Sequence, residues 1–434
     1  MLTSKIQSGQ VPQEGAEYLK GELSRPLDLQ ERLLIYRNLY TLSTSRPAEF
    51  YEDWRQAAEA AGRRDIATWA LAMRAYTHRQ RSQLGSALES AYEARARLDE
   101  FKHSRATKHL VLKELGRILM RLGRFPEAAC FMQGAAEALE AQNGGISQRT
   151  VQGMADALNE LGFVRFKQGR TEEAFAAFER VRELSERFDL ALPYTLSFLD
   201  RWATVLQWTG HADEARTRFT EAVTIFQEHY QEDREQLNDL LLRNAGYVYM
   251  NWAALEAESG NVAASRAKFE MAKRLVCESG WGFKEACKSG GAESKETPAP
   301  GSSAGQETGT GPTSDDQQNS ELAPNELAAY YRTEALIAKA DNRPQRAVEL
   351  LERSLDLLYA MRSSEGSGNS TLEFDSARHE LYVDPLVSLL MIQGRERDAL
   401  MREERSRARQ LNSMIDLENP PRIRQELLER EAAA

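Results

Sequence analysis

A glycine, a small residue five positions later and a bulky one four further on recur through this chain in helical register. The clearest copy runs from Ala155 to Val181, ADALNELGFVRFKQGRTEEAFAAFERV. Two helical periods flank Gln168-Gly169-Arg170. Gly162 precedes Ala174 by twelve residues, and Leu158, Leu161, Phe166 and Phe178 are the bulky partners. Small residues let two antiparallel helices approach closely, and bulky ones fill what remains. The same offsets return at 122–139, 209–226 and 259–276. Their turn glycines are Gly123, Gly210 and Gly260, followed by Ala128, Ala215 and Ser265. Met132, Phe219 and Phe269 come next, then Ala135, Ala222 and Ala272. Weaker copies lie at 341–358, where Asn342 replaces the glycine ahead of Ala347, and at 393–410, with Gly394 and Ala399.

This register resembles the tetratricopeptide repeat, the helix–turn–helix unit of α-solenoids. Glycines 123, 169, 210 and 260 are 46, 41 and 50 residues apart, longer than the usual period of about 34, so longer helices or loops are expected. Upstream, 29–43 and 48–61 read as one helical pair, and 64–80 with 84–100 as another in which Ala87, Ala91 and Ala94 are packing positions. The chain should hold about seven or eight pairs and no sheet. One pair cannot bury its apolar face alone, so neighbours must stack. The expected class is all-α: a right-handed superhelical α-solenoid of antiparallel pairs, with first helices lining a concave face. The expected organisation is an N-terminal extension at 1–28, a solenoid at 29–283, a disordered insertion at 284–323, further pairs at 324–415 and a capping helix at 416–434. The insertion rests on residues 288–320, which contain no large aliphatic or aromatic residue and cannot offset their ordering entropy.

Composition narrows the function classes. Apolar content of 41% is enough for a core, and a net charge of −10 argues against a nucleic-acid partner. The first twenty residues lack the apolar run of a signal peptide. No stretch approaches the roughly 18 apolar residues of a membrane span, so no membrane partner is expected. Three cysteines, Cys130, Cys277 and Cys287, fit a reducing cytoplasm, with Cys130 expected as a buried small hydrophobe. Six scattered histidines form no HExxH, and there is no CxxC, no phosphate loop and no GxSxG elbow. No cofactor, metal or catalytic residue is expected, and the chain reads as a non-enzyme.

The concave face is the better place for a site. The repeat's register turns Leu110, Lys113, Arg117, Met120 and Arg121 toward it. Lys113, Arg117 and Arg121 step by four and share one helix face. Asn159, Phe163, Phe166 and Lys167 are the equivalents in the next unit. A basic groove with an aromatic floor would suit an acidic peptide or a carboxylate terminus, although the Lys/Asn arrangement of the known carboxylate clamps is not reproduced. The bland alternative is a solvated charged face paired with nearby Glu and Asp. Asn244, Tyr247, Asn251 and Trp252 form a second polar–aromatic group, with Trp252 expected in the core and Tyr247 open to a partner.

Residues 381–415 carry Tyr382, Leu386, Leu389, Leu390, Gly394, Ala399, Leu400, Glu404, Arg405, Arg407, Ala408, Arg409 and Leu411. This run resembles the segment that ends the helical repeats of CHAT-domain proteins, the caspase- and separase-like peptidases. The resemblance implies a following peptidase domain; no cysteine follows Cys287 in the sequence, so the expectation is either a stand-alone repeat protein or a repeat module of a longer polypeptide, with no catalytic role carried over to any residue here. The expected function is a protein–protein interaction scaffold binding a protein or peptide. The rivals are an adaptor of a CHAT-type peptidase and a repeat regulator that senses a small ligand.

Overall fold

The computed structural model describes residues 19–24, 28–42, 46–81, 83–100, 102–140, 147–232, 239–279, 324–364 and 382–418. The expected insertion at 284–323 lies outside them, as does the capping segment beyond Glu418. Among the described residues these helices run in order: α1 (Leu29–Leu42), α2 (Ala48–Ala60), α3 (Arg64–Gln80), α4 (Leu84–Glu100), α5 (Arg105–Arg121), α6 (Phe125–Glu140), α7 (Gln148–Lys167), α8 (Thr171–Arg187), α9 (Leu192–Trp208), α10 (Ala212–Glu232), α11 (Asp239–Glu258), α12 (Val262–Glu278), α13 (Pro324–Ala340), α14 (Pro344–Ser364), α15 (Asp384–Ile392) and α16 (Glu396–Glu418). No strand occurs among the described residues.

One turn builds most of these pairs. Glycines 62, 123, 169, 210, 260 and 394 all have positive φ, and Asn342 joins them at φ 56°. Glycine takes this left-handed conformation at no steric cost, and asparagine tolerates it. In each case the N–H of the next residue donates to the carbonyl five residues before it, at 2.8–2.9 Å, from Arg63 to Ala58 through Arg395 to Leu390. That bond closes one helix. The carbonyl of the same residue then accepts from the fourth residue on, which opens the next helix: Ala67, Ala128, Ala174, Ala215, Ser265, Ala347 and Ala399. These seven small residues are 0–1% exposed. The Gly62–Ala67 turn, between α2 and α3, is one that the sequence pattern had not singled out.

The described residues form two compact units that part within α8, near residue 184. In the first, each helix from α1 to α7 packs on its successor, and α3, α5 and α7 lie side by side as one layer. Its N-terminal end is sealed by aromatic rings, with Trp54 and Trp69 edge to face at 4.9 Å. In the second, α9 and α11 lie side by side, as do α11 and α13, with α10, α12 and α14 against them, and α15 and α16 follow. Each unit is a run of stacked antiparallel helix pairs, the α-solenoid arrangement. Ala87, Ala91 and Ala94 are buried as expected. Cys130 is not: it is exposed on α6, because Ala128, Ala129 and Met132 form the buried stripe of that helix and leave position 130 on its outer side.

Helices α7 and α8 approach closely at Gly162. A methyl there would meet the Phe178 ring at 2.7–3.0 Å, and Phe178 is fully buried. Gly162→Ala is therefore expected to destabilise the first unit by about 2 kcal/mol. Overpacking outweighs the gain of about 1 kcal/mol in helix propensity. Urea denaturation checks this, and adding Phe178→Leu should restore part of the loss.

Candidate functional site

In the first unit the layer of α3, α5 and α7 carries one continuous ion network. Lys113 Nζ donates to Asp156 at 2.9 Å. Arg117 Nη2 donates to both Asp156 oxygens at 2.9 and 3.0 Å and to Glu160 at 3.2 Å. Its Nη1 reaches Glu114 at 3.4 Å. Arg79 on α3 holds the other Glu114 oxygen at 2.9 Å, and Arg121 donates to the Arg79 carbonyl at 3.0 Å. Burial opposes the charge on Arg117, but Asp156, Glu160 and Glu114 outweigh it and raise its pKa above the ordinary arginine value. The three basic residues do share one face, as their spacing requires. Lys113 and Arg117 are held there by acids of the next first helix, so the positive charge of this surface is largely compensated. The partners are not the local ones, apart from Glu114.

Asn159 is 4% exposed, and its Oδ1 has no hydrogen-bond partner among the described residues. Phe163 and Phe166 lie at 6.4 Å between centroids. Lys167 stands over both rings, at 5.4 and 5.8 Å from their centroids. One helix thus carries a buried amide, then two half-buried rings and an ammonium in successive turns.

The layer of the second unit is held by amides. Asn244 donates to the Pro193 carbonyl at 3.1 Å, Asn251 to both Asp200 oxygens at 2.9 and 3.1 Å, and Gln207 to Glu258 at 2.7 Å. Each bond spans 51 residues and joins α9 to α11 in a fixed register. Tyr247 is half-buried, with the Arg243 guanidinium 5.7 Å from its ring centre. Trp252 stacks on Phe219, takes the Lys268 ammonium at 3.9 Å and donates to Glu256; it packs between helices but is half-buried rather than in the core, where it was expected. Asp200 is the residue that sequence reasoning missed. Burial pushes its carboxyl up to about 6, while the Asn251 bond and Arg201 pull the other way. The available signal was an aspartate inside LPYTLSFLDRWATVLQW, an otherwise aromatic and aliphatic helix.

Among the described residues no His, Cys, Asp and Glu cluster is placed to hold a metal, and no helix is long and apolar enough to cross a membrane. The fold and these layers define a helical-repeat protein. Residues 153–228 match the tetratricopeptide repeat family, so the chain carries repeats of that kind. No curated protein matches it. Among solved structures, it is similar to a Rap protein complexed with competence and sporulation factor, at 10% identity and a TM-score of 0.57, covering 96% of this chain and 97% of that one. It is also similar to aspartyl phosphate phosphatase F from Bacillus subtilis, at 10% identity and a TM-score of 0.54, covering 94% and 91%. The apo form of the quorum sensor NprR from B. thuringiensis is similar at 13% identity and a TM-score of 0.51, covering 95% and 96%. At such identities the likeness is one of fold.

Proposed function

We propose that the chain is a non-enzymatic interaction scaffold whose first-helix layers bind an extended peptide or a protein segment. The observation that carries this is the Asn159 amide: a buried acceptor without a partner, beside Phe163, Phe166 and Lys167. An unmet buried acceptor costs about 1–3 kcal/mol. A backbone N–H of a peptide that displaces the side chains covering this amide would recover that, while the rings take an apolar side chain and Lys167 a carboxylate. The Rap structure, which holds competence and sporulation factor, and the quorum sensor NprR support a binding role for this fold. In the first unit Lys113 and Arg117 act in this reading as supports of the surface and Arg121 as part of its rim, while Tyr247 belongs to the layer of the second unit. An acidic partner would meet Lys167 before it met them. The adaptor reading based on residues 381–415 has no feature of α15 or α16 behind it beyond a terminal helix pair.

The test is selection of a random decapeptide library on the full chain, followed by affinity measurement of the enriched sequence. Asn159→Ala should weaken it about tenfold, the equivalent of one lost hydrogen bond to a buried amide. A library that yields no binder, or one whose binder is indifferent to Asn159, Phe163 and Lys167, removes this assignment.

A further inference from the structure

The buried acids that join neighbouring first helices are matched by cations, and Asp200 is not. Glu114 has Arg79 and Arg117, Glu160 has Arg117, and Asp156 has Lys113 and Arg117. In the second unit Glu256 has Arg216 at 3.1 Å, and Glu258 has Arg332 at 3.5 Å. Asp200 has no ion-pair partner among the described residues. Its carboxylate meets the neutral Asn251 amide, and Arg201, next in the chain, acts on it only from a distance. A carboxylate accepts about four hydrogen bonds, and Asn251 provides two. The group is half-buried, so part of it faces solvent. Its carboxyl is displaced upward by burial, the mark of a charge whose lost hydration nothing in the chain restores.

Two turns along the same face of α9 lies Trp208, 36% exposed. Asp200, Thr204 and Trp208 follow at steps of four, so carboxylate and ring share one face of the helix. A carboxylate short of a cation and an exposed indole on one surface are the two groups that recognise a guanidinium or ammonium on an aliphatic stem. The first bonds the charge, and the second covers the stem or meets the charge through its π face.

We infer that Asp200 is the anchor for an arginine or lysine side chain of a peptide bound on the layer of the second unit, held by the carboxylate with Asn251 orienting it and Trp208 flanking it. This rests on the proposed reading of the first-helix layers as peptide-binding surfaces, and it gives the layer of the second unit a preference for cations. Asn251 fixes the carboxylate plane from one side, leaving the remaining lone pairs for the ligand.

Two synthetic decapeptide pools test it, both N-acetylated and C-amidated so that no terminal charge competes. One has a fixed central arginine and the other a fixed central glutamate, with the remaining positions random. Binding to the full chain is read by fluorescence anisotropy at pH 7.5 and low salt. The arginine pool should bind the wild type at least about tenfold more tightly than the glutamate pool, and Asp200→Asn should abolish the difference. The variant should melt no lower than wild type, because it removes an uncompensated charge and keeps an acceptor for Asn251. Trp208→Ala, a milder surface change, should reduce the preference without removing it. Equal preference in wild type and Asp200→Asn overturns the anchor and leaves the peptide-binding surface standing, as does a preference for glutamate. Failure of both pools to bind the wild type overturns the surface and the anchor together.

Discussion

Replacing Arg117 by alanine is expected to destabilise the first unit by about 3–5 kcal/mol, the range for breaking a buried ion pair from one side. The guanidinium is 19% exposed and contacts Asp156, Glu160 and Glu114, which are 17%, 9% and 2% exposed. Its removal takes from Glu160 and Asp156 a cation that the two share, in a site from which water is largely excluded. These contacts also join α5 to α7, so the loss should appear as faster hydrogen exchange in both helices, with α13 and α14 unaffected. Arg117→Met combined with Asp156→Asn and Glu160→Gln should recover more than half of it, because the charges are then removed together. An Arg117→Ala protein within 1 kcal/mol of wild type by urea denaturation would show that the network is solvated and marginal. The same reasoning changes how a charge reversal at Lys113 and Arg117 must be read. Lost binding in that variant would report a loosened α5–α7 seam as readily as a lost contact.

The helix pairs were legible because their signal is local. A left-handed glycine and a buried alanine five residues on are joined by backbone bonds within one turn, so the pattern survives in the linear sequence from Gly123 to Gly394. Gly62 and Ala67 obey the same rule. They escaped because the surrounding segments read as the end of one pair and the start of another. The surface was half legible. A step of four correctly put Lys113, Arg117 and Arg121 on one face. What neutralises two of them lies 39–43 residues away on α7, and no local period reports which side chain of one repeat meets which of the next. Asp200 was hidden for the same reason. Its importance comes from what does not face it, and that depends on a register between α9 and α11 set by amide bonds 51 residues apart. Cys130 shows the reverse error: a small residue in an alanine-rich helix reads as core until the buried stripe is placed around it.

Acidification from pH 7 to 5 should weaken the first unit selectively, by about 2 kcal/mol, through His109. This residue is 8% exposed on α5 and its Nδ1 lies 3.0 Å from the Ala135 carbonyl, so a neutral ring donates there. Helix α7 passes so closely that a methyl at Gly153 would sit 3.3 Å from its Nε2. Burial, and then Lys113, push its pKa down to about 4, against the pull of the Ala135 carbonyl and Asp156. The unfolded chain takes this proton near 6.5 and the folded chain near 4, so between those values the unfolded state binds more protons and stability rises with pH. The full contribution, about 3 kcal/mol for two and a half units, is present above 6.5 and lost as pH falls toward 4. About two thirds is gone at pH 5. Glu52, held down to about 2 by its hydrogen bond to Arg55, adds nothing in this window, since its unfolded value lies near 4.5. Asp200 has the opposite sign. Its folded value near 6 lies above the ordinary 3.8, so the second unit should gain about 1 kcal/mol over the same interval. Hydrogen exchange at the two pH values, corrected for intrinsic rates, reads both units in one sample. His109→Gln should flatten the slope of the first unit and leave the second unchanged. Equal loss in both units, or an unaltered slope in His109→Gln, would place the acid sensitivity elsewhere.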